Sequence, residues 1–111
     1  MSEMSWWYFA WYDHNLPEGS QFLGGAFVPG EGHTYEEGRR KAVEAVYRYG
    51  CEPGPGADGN PRPYVLTGPI SELYVANKVP SDRRCKLLSR LVMEQELGWD
   101  LQSIYRPAQQ S

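Results

Sequence analysis

Residues 5–13 read Ser-Trp-Trp-Tyr-Phe-Ala-Trp-Tyr-Asp. So dense a run of aromatic side chains favours a β-strand. Side chains alternate across a strand, so Trp7, Phe9 and Trp11 share one face and Trp6, Tyr8, Ala10 and Tyr12 share the other. A sheet covered by helices on one side only should alternate apolar with polar residues. This strand does not, and both of its faces therefore need cover. The second face can be covered by the chain itself, by a second copy, or by a ligand stacked on the rings. Cover from within would come from the segment around Trp99, Leu101 and Tyr105 or from strong sheet curvature. The Trp6–Tyr8–Tyr12 face carries two hydroxyls and one indole N–H, which suit a half-wet surface, whereas Trp7, Phe9 and Trp11 suit a core. The expectation is that Trp7, Phe9 and Trp11 are buried in the monomer, and that Tyr8 and Tyr12 line a functional surface.

The remaining elements follow from local signals. Asn15, Pro17 and Gly19 turn the chain between His14 and Ser20. Gln21–Val28 reads as a second strand, paired with the first as a hairpin. Gly24 and Gly25 inside it mark a bulge or leave room for rings across the ladder. Thr34-Tyr35-Glu36-Glu37 matches a capping box, with the Thr34 hydroxyl accepting from the Glu37 N–H and the Glu37 carboxylate reaching back to the Thr34 N–H. A helix over about Tyr35–Tyr49 follows, its inner stripe made of Tyr35, Gly38, Ala42, Ala45, Val46 and Tyr49. Gly50 is suited to stop it.

Residues 50–63 hold four glycines and four prolines, which exclude helix and interior strand. A loop this long in a small domain is either functional or mobile. Tyr64–Thr67 is a short strand candidate, broken by Gly68-Pro69, and Ile70–Lys78 reads as another strand. Pro80-Ser81-Asp82 opens a second helix with an apolar row at Cys85, Leu88 and Val92, stopped by Gly98. Leu101, Ile104 and Tyr105 have the spacing of a short third helix, and residues 106–111 read as a frayed tail. The fold class is α+β in a single domain over residues 1–111: a small antiparallel sheet of three or four strands in the order β-β-α-β-(β)-α, with two main helices packed on it.

The chemistry-bearing residues are sparse. The net charge of −3 argues against a nucleic-acid partner. The two His and two Cys are scattered, without the close pairs of a zinc site, so neither metal nor cofactor is expected. Cys85, in the first turn of the expected second helix beside Arg83, Arg84 and Lys86, is placed to favour a thiolate, but the apolar row buries it. The start of that helix is also the better anion site, because Ser81, Arg83 and Arg84 converge on its unpaired N–H groups. His33, just before the first helix, could approach a ligand there. The first residues lack a basic segment followed by an apolar run, and no stretch is apolar enough to span a membrane, so a cytoplasmic location is expected.

The hairpin followed by Gly32-His33-Thr34-Tyr35-Glu36-Glu37 and then Ala42-Val43-Glu44-Ala45 resembles the front half of HicB-type antitoxins. In those proteins a β-hairpin leads into a helix that starts G-x-T-x-E-E. The likeness implies a small nucleic-acid-linked regulator as one alternative, and an unfamiliar small enzyme is another. The leading expectation is a non-enzymatic binding or interaction protein that uses its aromatic sheet face. Its partner would be a second copy of itself or another protein, with a small ligand as the other occupant, and the candidate contact residues are Trp6, Tyr8, Tyr12, His33, Arg83 and Arg84.

Overall fold

The computed structural model describes residues 5–98, which form a mixed α+β fold around a four-stranded antiparallel sheet. In chain order these are β1 (Ser5–Tyr12), β2 (Phe22–Pro29), α1 (Tyr35–Tyr49), β3 (Tyr64–Ser71), α2 (Glu72–Lys78) and β4 (Leu88–Ser89). The sheet order is β3-β1-β2-β4, so the aromatic strand lies inside it. Residues 99–111, which hold the expected third helix, the frayed tail and the cover by Trp99, Leu101 and Tyr105, lie outside the described residues.

Both faces of β1 are covered from within the chain. Trp7, Phe9 and Trp11 are buried, as the sequence leads one to expect, with Ala26, Val28 and the α1 residues Ala42, Ala45 and Val46. The opposite face is equally dry. Trp6 and Tyr8 pack with Phe27, Val75, Val79, Leu88 and Met93, and Tyr8 is only 3% exposed. Tyr8, expected with Tyr12 to line a functional surface, is instead buried, as is the candidate contact residue Trp6, while Tyr12 is half-buried: α2 and the segment behind it form a third layer. Each large apolar side chain fully buried in this way contributes about 1.5–3 kcal/mol.

That third layer departs from the expected elements in two places. Strand β3 continues past Gly68-Pro69 to Ser71, with its register to β1 slipping by one residue there, and the expected strand over Ile70–Lys78 is mostly α2. The Ser71 hydroxyl accepts from the Tyr74 N–H at 3.2 Å, which caps the helix. Val75 and Val79, four residues apart, then turn one apolar row onto the sheet. The expected second helix over 81–98 is broken into a 3-10 turn at Ser81–Arg83, the short β4, and a wide helical turn at Val92–Glu96. The physical reason is the open edge of β2. Cys85 donates its N–H to Phe27 O at 2.8 Å with φ at 60°, and Leu88 and Ser89 pair with Gly25 and Gly24.

The glycines of β2 do both of the things expected of them. A Cβ on Gly25 would lie 2.7 Å from the Tyr8 ring, and one on Gly24 would lie 2.5 Å from Leu88 O. The register slips between Trp11 and Tyr12, opposite Gly24 and Phe22, which is the bulge. Helix α1 starts at the Thr34 cap, with Thr34 Oγ1 accepting from the Glu37 N–H at 3.1 Å. The return bond reaches one residue further back than expected, as the Glu37 carboxylate accepts from the His33 N–H at 2.7 Å. That bond is the main reason the Glu37 carboxyl is held below its ordinary range. Tyr35 and Tyr49, expected on the inner stripe, are half exposed.

A candidate ligand groove beneath the glycine-proline loop

Trp7, Phe9 and Trp11 meet two different covers along α1. Around Trp7 the cover is tight. Its indole donates to Gly30 O at 3.1 Å, and Gly30, Gly38 and Gly68 all lie so close to the ring that a Cβ on any of them would meet it within 3.1 Å. Over Phe9 and Trp11 a groove of about 350 Å³ lies between Val43, Val46 and Tyr47 of α1, Tyr64 at the start of β3, and the 50–63 loop.

The floor of this groove is an aromatic stack. Phe9 and Trp11 lie with centroids 5.6 Å apart and planes 19° apart. Tyr64 closes one end, its ring 5.0 Å from Phe9 and 6.3 Å from Trp11. Such offset and edge arrangements hold rings in fixed positions. Tyr47 is 62% exposed and overhangs the opening. The loop supplies a roof of Pro53, Pro55 and Pro61, residues that keep their shape at low entropic cost.

The loop is held by polar contacts at its tip and base. Gly56 donates to Asn60 O and Gly59 to Gly56 O, both at 3.0 Å. The Asp58 carboxylate accepts from the Asn60 N–H at 3.0 Å, which lowers its pKa. Arg62 bridges the base, with Nη1 donating to Gly54 O at 3.5 Å and Nε 3.4 Å from Asp13 Oδ2. Asp13 is the one buried charged residue among those described, and its other oxygen accepts from the Asn15 N–H at 2.9 Å. On the far side of Arg62 lies a polar recess of about 250 Å³ bordered by Asp13, His14, Asp58 and Asn60. Arg62 thus forms the wall between an apolar groove and a polar one.

The residues singled out from the sequence are dispersed. Trp6 and Tyr8 lie in the buried layer beneath α2. Tyr12 is half-buried at the bulge, its ring 4.8 Å from His14. His33 is exposed at the start of α1, away from the groove. The expected convergence of Arg83 and Arg84 on a helix start does not form. Arg83 pairs with Glu96, and Arg84 donates to Val79 O at 3.0 Å with its guanidinium 5.5 Å from the centre of the Trp6 ring. Both side chains are occupied in holding the third layer.

The cysteines are not placed for nucleophilic chemistry. Burial pushes the Cys51 thiol up to about 11, and it raises that of Cys85. Cys85 sits outside any helix, so no helix dipole acts to lower it. Among the described residues, no three His, Cys, Asp or Glu side chains gather as a metal site would require. Nor is any described helix long and apolar enough to cross a membrane. In comparisons with known proteins, no family model, no curated protein and no solved structure matches this chain.

Proposed function

We propose that this protein is a non-enzymatic binding module, and that its ligand enters the groove between α1 and the 50–63 loop. The observation that carries the reading is the groove itself: an aromatic floor of Phe9, Trp11 and Tyr64 under a proline-rich roof. Its volume of about 350 Å³ lies at the small end of the range of ligand pockets, roughly 300–1,000 Å³, and such pockets are mostly apolar with a few fixed polar groups. Arg62 is that polar group here. The fitting ligand is a flat ring bearing an acidic group, the ring against the accessible Tyr47 and Tyr64 above the buried Phe9 and Trp11, and the acid toward the guanidinium. On this reading the ligand is taken on the α1 side of the aromatic strand rather than on its α2 side.

The test uses an aromatic sulfonate, anilinonaphthalene sulfonate, as the probe. We expect saturable binding at one site per chain. Tyr47→Ala removes an exposed ring at the mouth and should weaken binding by about tenfold, as loss of one stacked ring predicts. Tyr74→Ala, an exposed tyrosine on α2 away from the groove, should leave it unchanged. Equal affinity in the two variants, or no saturation in the wild type, would overturn the assignment.

A further inference from the structure

The two edges of the sheet are unlike each other. On one side β4 is two residues long, Leu88–Ser89, and is bracketed by Lys86 and Arg90. Short strands and nearby cations are common ways of keeping a sheet edge from pairing. On the other side β3 is eight residues long and reads Tyr-Val-Leu-Thr-Gly-Pro-Ile-Ser, without a single charged side chain. Its only strand partner among the described residues is β1.

Two hydrogen bonds show which backbone groups of β3 face outward. Tyr12 donates its N–H to Pro63 O at 3.1 Å, and Asp13 donates to Gln21 O at 2.9 Å. Even-numbered residues of β1 therefore direct their backbone groups toward β3, and odd-numbered ones toward β2. Across the pairs Tyr8–Thr67 and Ala10–Val65, it follows that Val65 and Thr67 use their N–H and C=O on β1. Tyr64 and Leu66 alternate with them and hold theirs outward, as does the Gly68 N–H, which lies trans to the Thr67 C=O across their peptide; beyond Thr67 the register slips by one residue at Gly68-Pro69.

We propose that this edge receives a second copy of the same edge, antiparallel, about a two-fold axis at Leu66. The edge is self-complementary, which favours a copy over another partner. With Leu66 opposite Leu66 of the copy, Tyr64 falls opposite Gly68, so the outward Gly68 N–H meets the outward Tyr64 C=O. The Leu66 pair gives two hydrogen bonds and each Tyr64–Gly68 pair one, about four in all. On the α1 face, the large Tyr64 ring stands beside a residue with no side chain. On the α2 face, Val65 stands opposite Thr67, a favourable β-branched pair. No like charges are brought together, because the strand has none. The result is one continuous eight-stranded sheet across the dimer.

The experiment combines mass with residue-level hydrogen exchange on the full chain. Sedimentation equilibrium at millimolar concentration should give twice the 12.6 kDa of one chain, falling toward one chain on dilution. In the dimer the amides of Tyr64, Leu66 and Gly68 should be protected, and dilution should release them while Val65 and Thr67 stay protected. Thr67→Lys changes an exposed side chain next to the axis and should raise the dimer dissociation constant about tenfold or more, with the circular dichroism of the dilute monomer unchanged. A monomer at every concentration would overturn the proposal. So would a dimer in which Tyr64, Leu66 and Gly68 exchange freely, or protection of those amides that does not depend on concentration.

Discussion

Replacing Gly38 with Ala sets two opposed effects against each other. Gly38 lies inside α1, where glycine is less favourable than alanine by about 1 kcal/mol, so helix propensity alone predicts a gain. The packing predicts a loss. A Cβ at Gly38 would lie 2.8 Å from Gly30 O and 3.1 Å from the Trp7 ring. Neither neighbour can yield cheaply. Gly30 O is backbone and already accepts the buried Trp7 indole N–H at 3.1 Å, while the ring is itself 1% exposed and wedged against Gly68. Overpacking a site of this kind costs about 1–3 kcal/mol. Losing the indole hydrogen bond with its donor still buried costs about 1–3 kcal/mol. One of these alone, less the propensity gain, leaves a net destabilisation of about 0–2 kcal/mol, and both together leave about 1–5 kcal/mol. Urea unfolding followed by tryptophan fluorescence measures it as a lower midpoint at unchanged slope, and the Trp7 indole N–H resonance should move. A midpoint that rises by the propensity increment, with that resonance unmoved, would refute the tight approach of α1 to Trp7.

Two further outcomes follow from the same structure. Thr34→Ala removes the acceptor of the Glu37 N–H and should lower stability by about 1 kcal/mol, read as a shifted denaturant midpoint; no shift would mean that the cap contributes nothing. Stability should also fall on the alkaline side. Burial raises the Cys51 thiol from 9.0 to about 11 and raises the Tyr8 phenol well above 10.0, so both groups ionise first in the unfolded chain. Their contribution is complete below pH 9 and is lost as pH rises through the folded values. Tyr8→Phe should therefore make the decline above pH 10 shallower, and an unchanged pH profile of the unfolding midpoint would contradict the burial of that phenol.

The fold was legible wherever a local signal had no competitor. Thr34, Glu37 and Gly50 bound α1 because caps act through the residues beside them, and nothing else in the fold needed those groups. The glycines of β2 were readable because a ring needs space across a ladder. Reading failed where a distant edge outbid a local pattern. From Ser81 to Gly98 the apolar row has helical spacing, but β2 offered unpaired backbone groups, and Cys85, Leu88 and Ser89 satisfied them. At Leu73-Tyr74-Val75 the composition favoured a strand, yet the Ser71 cap and the single row of Val75 and Val79 turned it into helix.

The site was half legible for a related reason. Alternation along β1 separates its two aromatic faces without error, because that period belongs to the strand itself. Which face is left partly open depends on how closely each covering layer approaches, and that is decided far away in sequence. Beside Trp7 the residues Gly30, Gly38 and Gly68 let backbone meet the ring and leave no space. Two residues further along the strand, α1 offers Val43, Val46 and Tyr47 instead; Val46 packs with the buried Phe9 and Trp11, and the groove lies between these α1 side chains and the loop. The gap is roofed by the loop that the sequence already marked as too long to be a simple connector, and it is pinned there by Arg62 against Asp13. That pair joins residues 49 positions apart, and an Asp beside His14 in a turn gives no sign of such a partner. On the proposed reading, the position of the groove follows the spacing of small and large residues on α1 rather than hydroxyls on β1, and Tyr47 and Arg62, not Tyr8, line it.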